Sequence, residues 1–220
     1  MQKMRLSPGN AALLCPGWGR VLVAALAVSL PLLLSGCSKP AKLPPLAGDA
    51  VILAYGDSLT FGTGAAEDES YPSQLARITG RRVMHAGVPG EVSAAGLARL
   101  PAALDEHAPR LLLLCHGGND FLRRLPRQAA ADNVRAMIRL AKARGVEVLL
   151  IGTPEPSLTV APPGFYAEIA AEFKIPYEGG VLSSILRDAS LKADQVHPNA
   201  KGYGVMANAV AELLRKSGAL

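Results

Sequence analysis

Cysteine is scarce in this 220-residue chain: Cys15, Cys37 and Cys115 are its only three, too few and too scattered for a disulfide framework or a zinc site. Acids are missing from the first 48 positions, the earliest being Asp49. The apolar run Val21–Leu34, broken only by Ser29 and Pro31, falls short of the roughly 20 residues that a membrane-spanning helix needs. No repeat recurs at solenoid spacing, and the 22 glycines and 17 prolines follow no period, which excludes repeat and collagen-like architectures. Gly-x-Ser-x-Gly, His-Glu-x-x-His and phosphate-loop motifs are absent, and with them the elbow of the α/β-hydrolases and the usual zinc-protease and nucleotide signatures. What is present suits one domain, or two small ones at most: 50% of the residues are apolar and 19% charged, too apolar for a disordered chain.

The formal net charge of +5 and the pI near 9.3 suggest a nucleic-acid partner until the charge is located. Residues 1–36 hold Lys3, Arg5 and Arg20; removing them takes three of the 23 basic residues and none of the 18 acids, leaving +2. Basic residues before a short apolar core describe an export signal. The core ends in Leu34-Ser35-Gly36-Cys37, which resembles the bacterial lipobox. That resemblance implies cleavage before Cys37, lipidation of its thiol and, with Ser38 rather than Asp following, sorting to the periplasmic face of the outer membrane. The expected organisation is a signal over 1–36, a lipidated and proline-rich tether over 37–48, and one domain over 49–220. No nucleic-acid partner is expected.

In the domain, short β-rich runs alternate with longer amphipathic stretches. Ala50–Tyr55, Arg82–His85, Leu111–Cys115 and Val146–Ile151 lack in/out alternation, as strands covered on both faces do. Between and after them, Arg127–Arg144 carries Val134, Met137, Ile138 and Ala141 at helical spacing, and Ala200–Lys216 sets Val205, Met206, Ala209, Val210, Leu213 and Leu214 along one side. Strand and helix in alternation predict an α/β fold: a three-layer α/β/α sandwich around a mainly parallel, flavodoxin-like five-stranded sheet. Ligands of such sheets bind at the carboxyl ends of the strands.

Those ends carry four signals, each weak alone. Gly56-Asp57-Ser58 can hold a hydroxyl at the end of the first strand, although a serine there more often only caps a helix. Gly87-Val88-Pro89-Gly90 follows the second strand and permits close backbone approach. His116-Gly117-Gly118-Asn119 brings an amide donor to the end of the third, as an oxyanion hole requires. Before the last helix, Asp194-x-x-His197 lets a carboxylate orient one ring nitrogen while the other faces outward. Gly62-Thr63-Gly64-Ala65-Ala66 imitates the start of a dinucleotide fingerprint, but Glu67 stands where a third glycine or alanine belongs.

Taken in order, the blocks Gly56-Asp57-Ser58-Leu59, Gly87-Val88-Pro89-Gly90, Gly117-Gly118-Asn119-Asp120 and Asp194-x-x-His197-Pro198-Asn199 resemble those of the SGNH hydrolases, the GDSL esterase/lipase family. The likeness runs from about Ala50 to Lys216 and is strongest to the bacterial arylesterase, lysophospholipase and thioesterase branch. It implies a serine esterase working through an acyl-enzyme. Ser58 would be the nucleophile, His197 the general base and Asp194 its orienter. The oxyanion donors would be the Ser58 N–H, the Gly90 N–H, with Gly87 as second choice, and the Asn119 side chain. His85, Glu91-Val92 and His116 depart from the family pattern; His116 is expected to be satisfied by backbone rather than to touch substrate. Neither cofactor nor metal is implied, Cys115 is expected to be packing, and the protein is expected to be a monomer. Two further readings stay open, a carbohydrate O-acetylesterase of the envelope and a non-catalytic envelope binding module. The segment Thr153–Gly164 is expected to wall the pocket and, with Val196, to favour an apolar acyl group.

Overall fold

The structure is a computed structural model that describes residues 41–220. The run Val21–Leu34 and the proposed lipidation site Cys37 lie outside the described residues. Five parallel strands, β1 (Val51–Gly56), β2 (Arg82–Gly87), β3 (Leu111–Cys115), β4 (Glu147–Ile151) and β5 (Tyr177–Glu178), form one sheet in the order β2-β1-β3-β4-β5. This is the flavodoxin-like order that the pattern predicts.

Alternation along the strands divides the core. Ile52, Ala54, Leu111, Leu113, Leu149 and Ile151 face one layer, made by α2 (Tyr71–Thr79), α7 (Val181–Arg187) and α8 (Ala200–Ser217). Leu53, Tyr55, Leu112, Leu114, Val148 and Leu150 face the other, made by α3 (Ser93–His107), α5 (Arg127–Ala143) and α6 (Phe165–Phe173). Each fully buried large aliphatic side chain contributes on the order of 1.5–3 kcal/mol relative to exposure. Two short helices, α1 (Ser58–Phe61) and α4 (Gly118–Leu122), follow β1 and β3 directly and carry the residues of interest to the sheet's carboxyl end.

Three expectations need correction. β2 is not covered on both faces: it is an edge strand paired only with β1, and Arg82 and His85 are exposed. On α8 the buried face runs through Gly202, Tyr203, Met206, Ala207, Val210, Ala211 and Leu214, while Val205 is 40% exposed. The small residues let the helix approach the sheet, and Tyr203 is drawn inward by the bond from its hydroxyl to Thr63 O at 2.8 Å. The tether expected over 37–48 is docked in its second half. The N–H groups of Leu43 and Leu46 donate to Ser217 O and Ala219 O, each at 2.9 Å, and the Leu43 side chain is buried. Carbonyls at a helix end need partners from outside the helix, and this stretch supplies them to the end of α8.

Candidate active site

At the end of β1 the backbone packs close against β3 because Gly56 has no side chain; a Cβ there would lie 2.0 Å from Cys115 O. Asp57, 1% exposed, then caps α1 by accepting the Leu59 N–H at 3.1 Å. The cap is therefore Asp57, and the Ser58 hydroxyl is released for other work. Burial pushes the Asp57 pKa up, an effect that the bonds from Leu59 N–H and the Asn119 amide partly offset.

Ser58 Oγ lies 3.1 Å from His197 Nε2, and His197 Nδ1 lies 2.8 Å from Asp194 Oδ2. Partial burial alone would raise the Asp194 pKa, but the bonds it accepts from the His197 ring and from the Val196 and His197 N–H groups, each of those N–H bonds 2.8 Å long, hold it below the usual carboxylate range. An ionised carboxylate only accepts. The Nδ1 hydrogen therefore points at Asp194, and Nε2 is left to accept from Ser58. The loop bearing this pair is fastened by its own backbone: Ala193 N–H donates to His197 O at 2.9 Å, Lys192 and Pro198 form an antiparallel bridge, and Asn199 caps α8 through Gly202 N–H at 3.0 Å.

Behind this loop stands the Gly62-Thr63-Gly64 stretch, which imitates a nucleotide motif in the sequence. Gly64 has φ +101°, and a Cβ on it would lie 2.6 Å from Pro198 O and 3.5 Å from His197 Cβ. Its missing side chain is what lets the histidine loop close against α1, a role that sequence reasoning misses.

After β3, Gly117 (φ +114°) turns the chain so that Asn119 Nδ2 donates to Glu91 O at 3.1 Å and to Asp57 Oδ2 at 3.3 Å. Asp120 is buried and accepts the Ser93 N–H at 2.7 Å and the Ser93 hydroxyl at 2.6 Å, pinning α4 to α3. His116 is fully buried. Its Nδ1 accepts the Gly117 N–H at 3.2 Å, the backbone partner expected, but its Nε2 faces the Glu91 carboxylate at 3.1 Å, which the sequence does not announce. Of the two candidate glycines, Gly87 packs its backbone against α1, where a Cβ would lie 2.2 Å from Phe61 N. Gly90 takes φ +77°, and its N–H makes no hydrogen bond among the described residues.

Ser58, Asn119 and His197 line one cleft of about 260 Å³, whereas Asp194 lies behind His197 and Gly90 sits outside the lining. The walls are largely apolar, with Leu59, Leu122, Pro154, Pro156, Val160, Leu186 and Val196, so the segment after β4 does wall the cleft. Among the described residues no group of three or more His, Cys, Asp or Glu side chains is arranged to hold a metal ion. Cys115 is buried in the core, and burial pushes its thiol pKa up, as its packing role requires.

The sequence profile of the GDSL-like lipase/acylhydrolase family matches residues 54–205 of this chain, from β1 into α8. The chain belongs to the GDSL hydrolase family. Among curated relatives it is 33% identical over 184 residues to Esterase TesA of Pseudomonas aeruginosa, covering 76% of this chain and 89% of that protein. It is 30% identical over 172 residues to the thioesterase 1/protease 1/lysophospholipase L1 of Escherichia coli, covering 74% and 83%. The crystal structure of TesA superposes on it with a TM-score of 0.67 at 28% identity, over 75% of this chain and 98% of that one. The GDSL fold assigned by the sheet order is thus the fold of solved relatives, and esterases and thioesterases are this hydrolase's homologues.

Proposed function

We propose that the protein is a serine carboxylic-ester hydrolase with Ser58 as nucleophile. The observation that carries this reading is the unbroken chain from Ser58 Oγ through His197 to Asp194, at 3.1 and 2.8 Å. Ser58 Oγ attacks the ester carbonyl carbon while its proton passes to Nε2. The tetrahedral oxyanion takes hydrogen bonds from the Ser58 and Gly90 N–H groups and the Asn119 amide, and the leaving alcohol takes the proton from Nε2. Water repeats the sequence on the acyl-enzyme and frees Ser58. The Gly90 N–H, without a hydrogen-bond partner among the described residues, and the position of Asn119 in the cleft support this set of donors. Asn119 has two amide hydrogens; the one on Asp57 makes the longer bond, at 3.3 Å, and is the one that the oxyanion would share.

The apolar walls support aryl, short-acyl, lysophospholipid or thioester substrates over acetylated sugars, whose rings would leave hydroxyls facing leucine and proline. Export and anchoring through a lipid on Cys37 belong to the same proposal, supported by the Leu34-Ser35-Gly36-Cys37 ending of the apolar run. The test is hydrolysis of p-nitrophenyl esters of graded chain length together with labelling by a fluorophosphonate. Labelling and turnover are expected in the native protein, and neither in Ser58→Ala; turnover retained by purified Ser58→Ala would overturn the assignment.

A further inference from the structure

A second polar cluster lies beside the cleft, outside the chain from Ser58 to Asp194. The Glu91 side chain is only 7% exposed and is gripped from two elements. Arg99 on α3 reaches its two oxygens at 3.0 and 2.8 Å, and His116 at the end of β3 approaches one of them at 3.1 Å. The Arg99 guanidinium also donates to Ala86 O at 3.0 Å and stacks 4.3 Å over the Tyr55 ring, so it is itself fixed. The His116 tautomer follows: Nδ1 accepts from Gly117 N–H, hence Nε2 carries the hydrogen and donates to Glu91. Room for that imidazole exists because residue 96 is glycine; a Cβ there would lie 2.2 Å from Nε2.

The same residue that is gripped by its side chain offers its carbonyl oxygen to Asn119 at 3.1 Å. His116 and Asn119 stand three residues apart in one turn, so Glu91 closes a ring from β3 through its own carboxylate and carbonyl back to the Asn119 amide. Burial alone would raise the Glu91 pKa, but the bonds from His116 and Arg99 and the Arg99 charge outweigh it and push the value down to about 2. The grip is therefore ionic across the working range.

We infer that Glu91 is a positioning residue: held by Arg99 and His116, its carbonyl immobilises one hydrogen of the Asn119 amide and so sets where the other can point. The inference rests on the reading of Asn119 as an oxyanion donor. A preorganised donor acts on the charge that develops in the transition state and little on the bound ester. Loosening Glu91 must therefore lower kcat and leave KM in place, and must do so only while Asn119 is present.

The experiment is a double-mutant cycle on the full chain with p-nitrophenyl butyrate, using Glu91→Gln, Asn119→Ala and both together, with affinity for an alkylboronic acid as a second readout. Asn119→Ala is expected to lower kcat about a hundredfold. Glu91→Gln is expected to lower kcat and boronate affinity by about tenfold each, with KM within twofold, and to cost less than about twofold more in the Asn119→Ala background. Arg99→Gln, which removes the other grip, should repeat the pattern and covers the case in which Glu91→Gln folds poorly. A kcat for Glu91→Gln within twofold of native, or a further tenfold loss on top of Asn119→Ala, would overturn the inference. Full activity in Asn119→Ala would instead sink the oxyanion reading beneath it.

Discussion

The two halves of the cleft are held by opposite means. On the side of β1 and β3, Asp57, His116 and Asp120 are buried, and their bonds cross between elements: Asn119 to Asp57 and Glu91, Asp120 to Ser93, His116 to Glu91. On the other side, Asp194 has a side chain 53% exposed, and the His197 loop is fastened by its own backbone and by the cap of α8. Cross-element bonds among buried groups couple geometry to stability, because an orphaned partner remains out of water. Local backbone bonds do not, because a lost side chain is replaced by solvent. Damage to the half that carries Asn119 therefore also costs the fold some stability, whereas the half that carries His197 and Asp194 can be altered with the fold intact.

The largest expected effect is on rate alone. His197→Ala should lower kcat for an aryl ester by at least about a thousandfold, since the proton transfer proposed for it has no substitute, while its thermal midpoint stays within a degree or two of native. A midpoint lowered by ten degrees would break the contrast between the halves. Asp194→Ala should cost less, about ten- to a hundredfold in kcat, because water can partly stand in for a carboxylate so exposed, again without a shift in the midpoint.

Gly64→Ala tests the junction of the halves. At φ +101° with Pro198 O in the way, the change should cost roughly 1–3 kcal/mol and lower kcat with it, as the His197 loop is pushed off Ser58. Denaturant unfolding measures the first and steady-state kinetics the second. Among the smallest effects is a pH slope. The Glu91 pKa lies at about 2 in the fold against an ordinary value of 4.5, so its ionic grip stabilises above pH 4.5 and is lost as pH falls toward 2. Asp57, whose pKa burial raises, acts in the opposite sense by favouring its protonated form in the fold. Glu91→Gln should remove the first contribution and flatten the acid limb of stability measured by thermal denaturation between pH 4.5 and 2.

The parts of this architecture that are legible in the sequence are those set by burial along one element. The strands β1, β3 and β4 announce themselves as unbroken apolar runs because helices cover both their faces, and α5 shows its face because Val134, Met137, Ile138 and Ala141 all point to one layer. β5, with two residues, is too short for any period. The α8 face is misjudged at Val205 because Gly202, Ala207 and Ala211 contribute by being small rather than by being apolar. Ser58, Asn119 and His197 in the cleft, and Asp194 behind His197, can be found from spacing and family likeness. The ring through Glu91, Arg99 and His116 cannot, since it depends on three elements meeting; its only trace in the sequence is that the Glu91-Val92 pair and His116 depart from the family pattern. Gly64 and the docked stretch 42–47 leave no trace at all, because a missing Cβ and a backbone bond belong to the fold rather than to residue type.

That docked stretch decides by which end the molecule can be held. α8 begins beside His197 and, at about 1.5 Å per residue, ends some 27 Å away, where Leu43 bonds to its last residue and Leu46 to Ala219 just beyond it. The described chain thus enters the domain at the far end of α8 from His197, so a bead or fusion partner joined at residue 41 meets the domain there and not at the cleft.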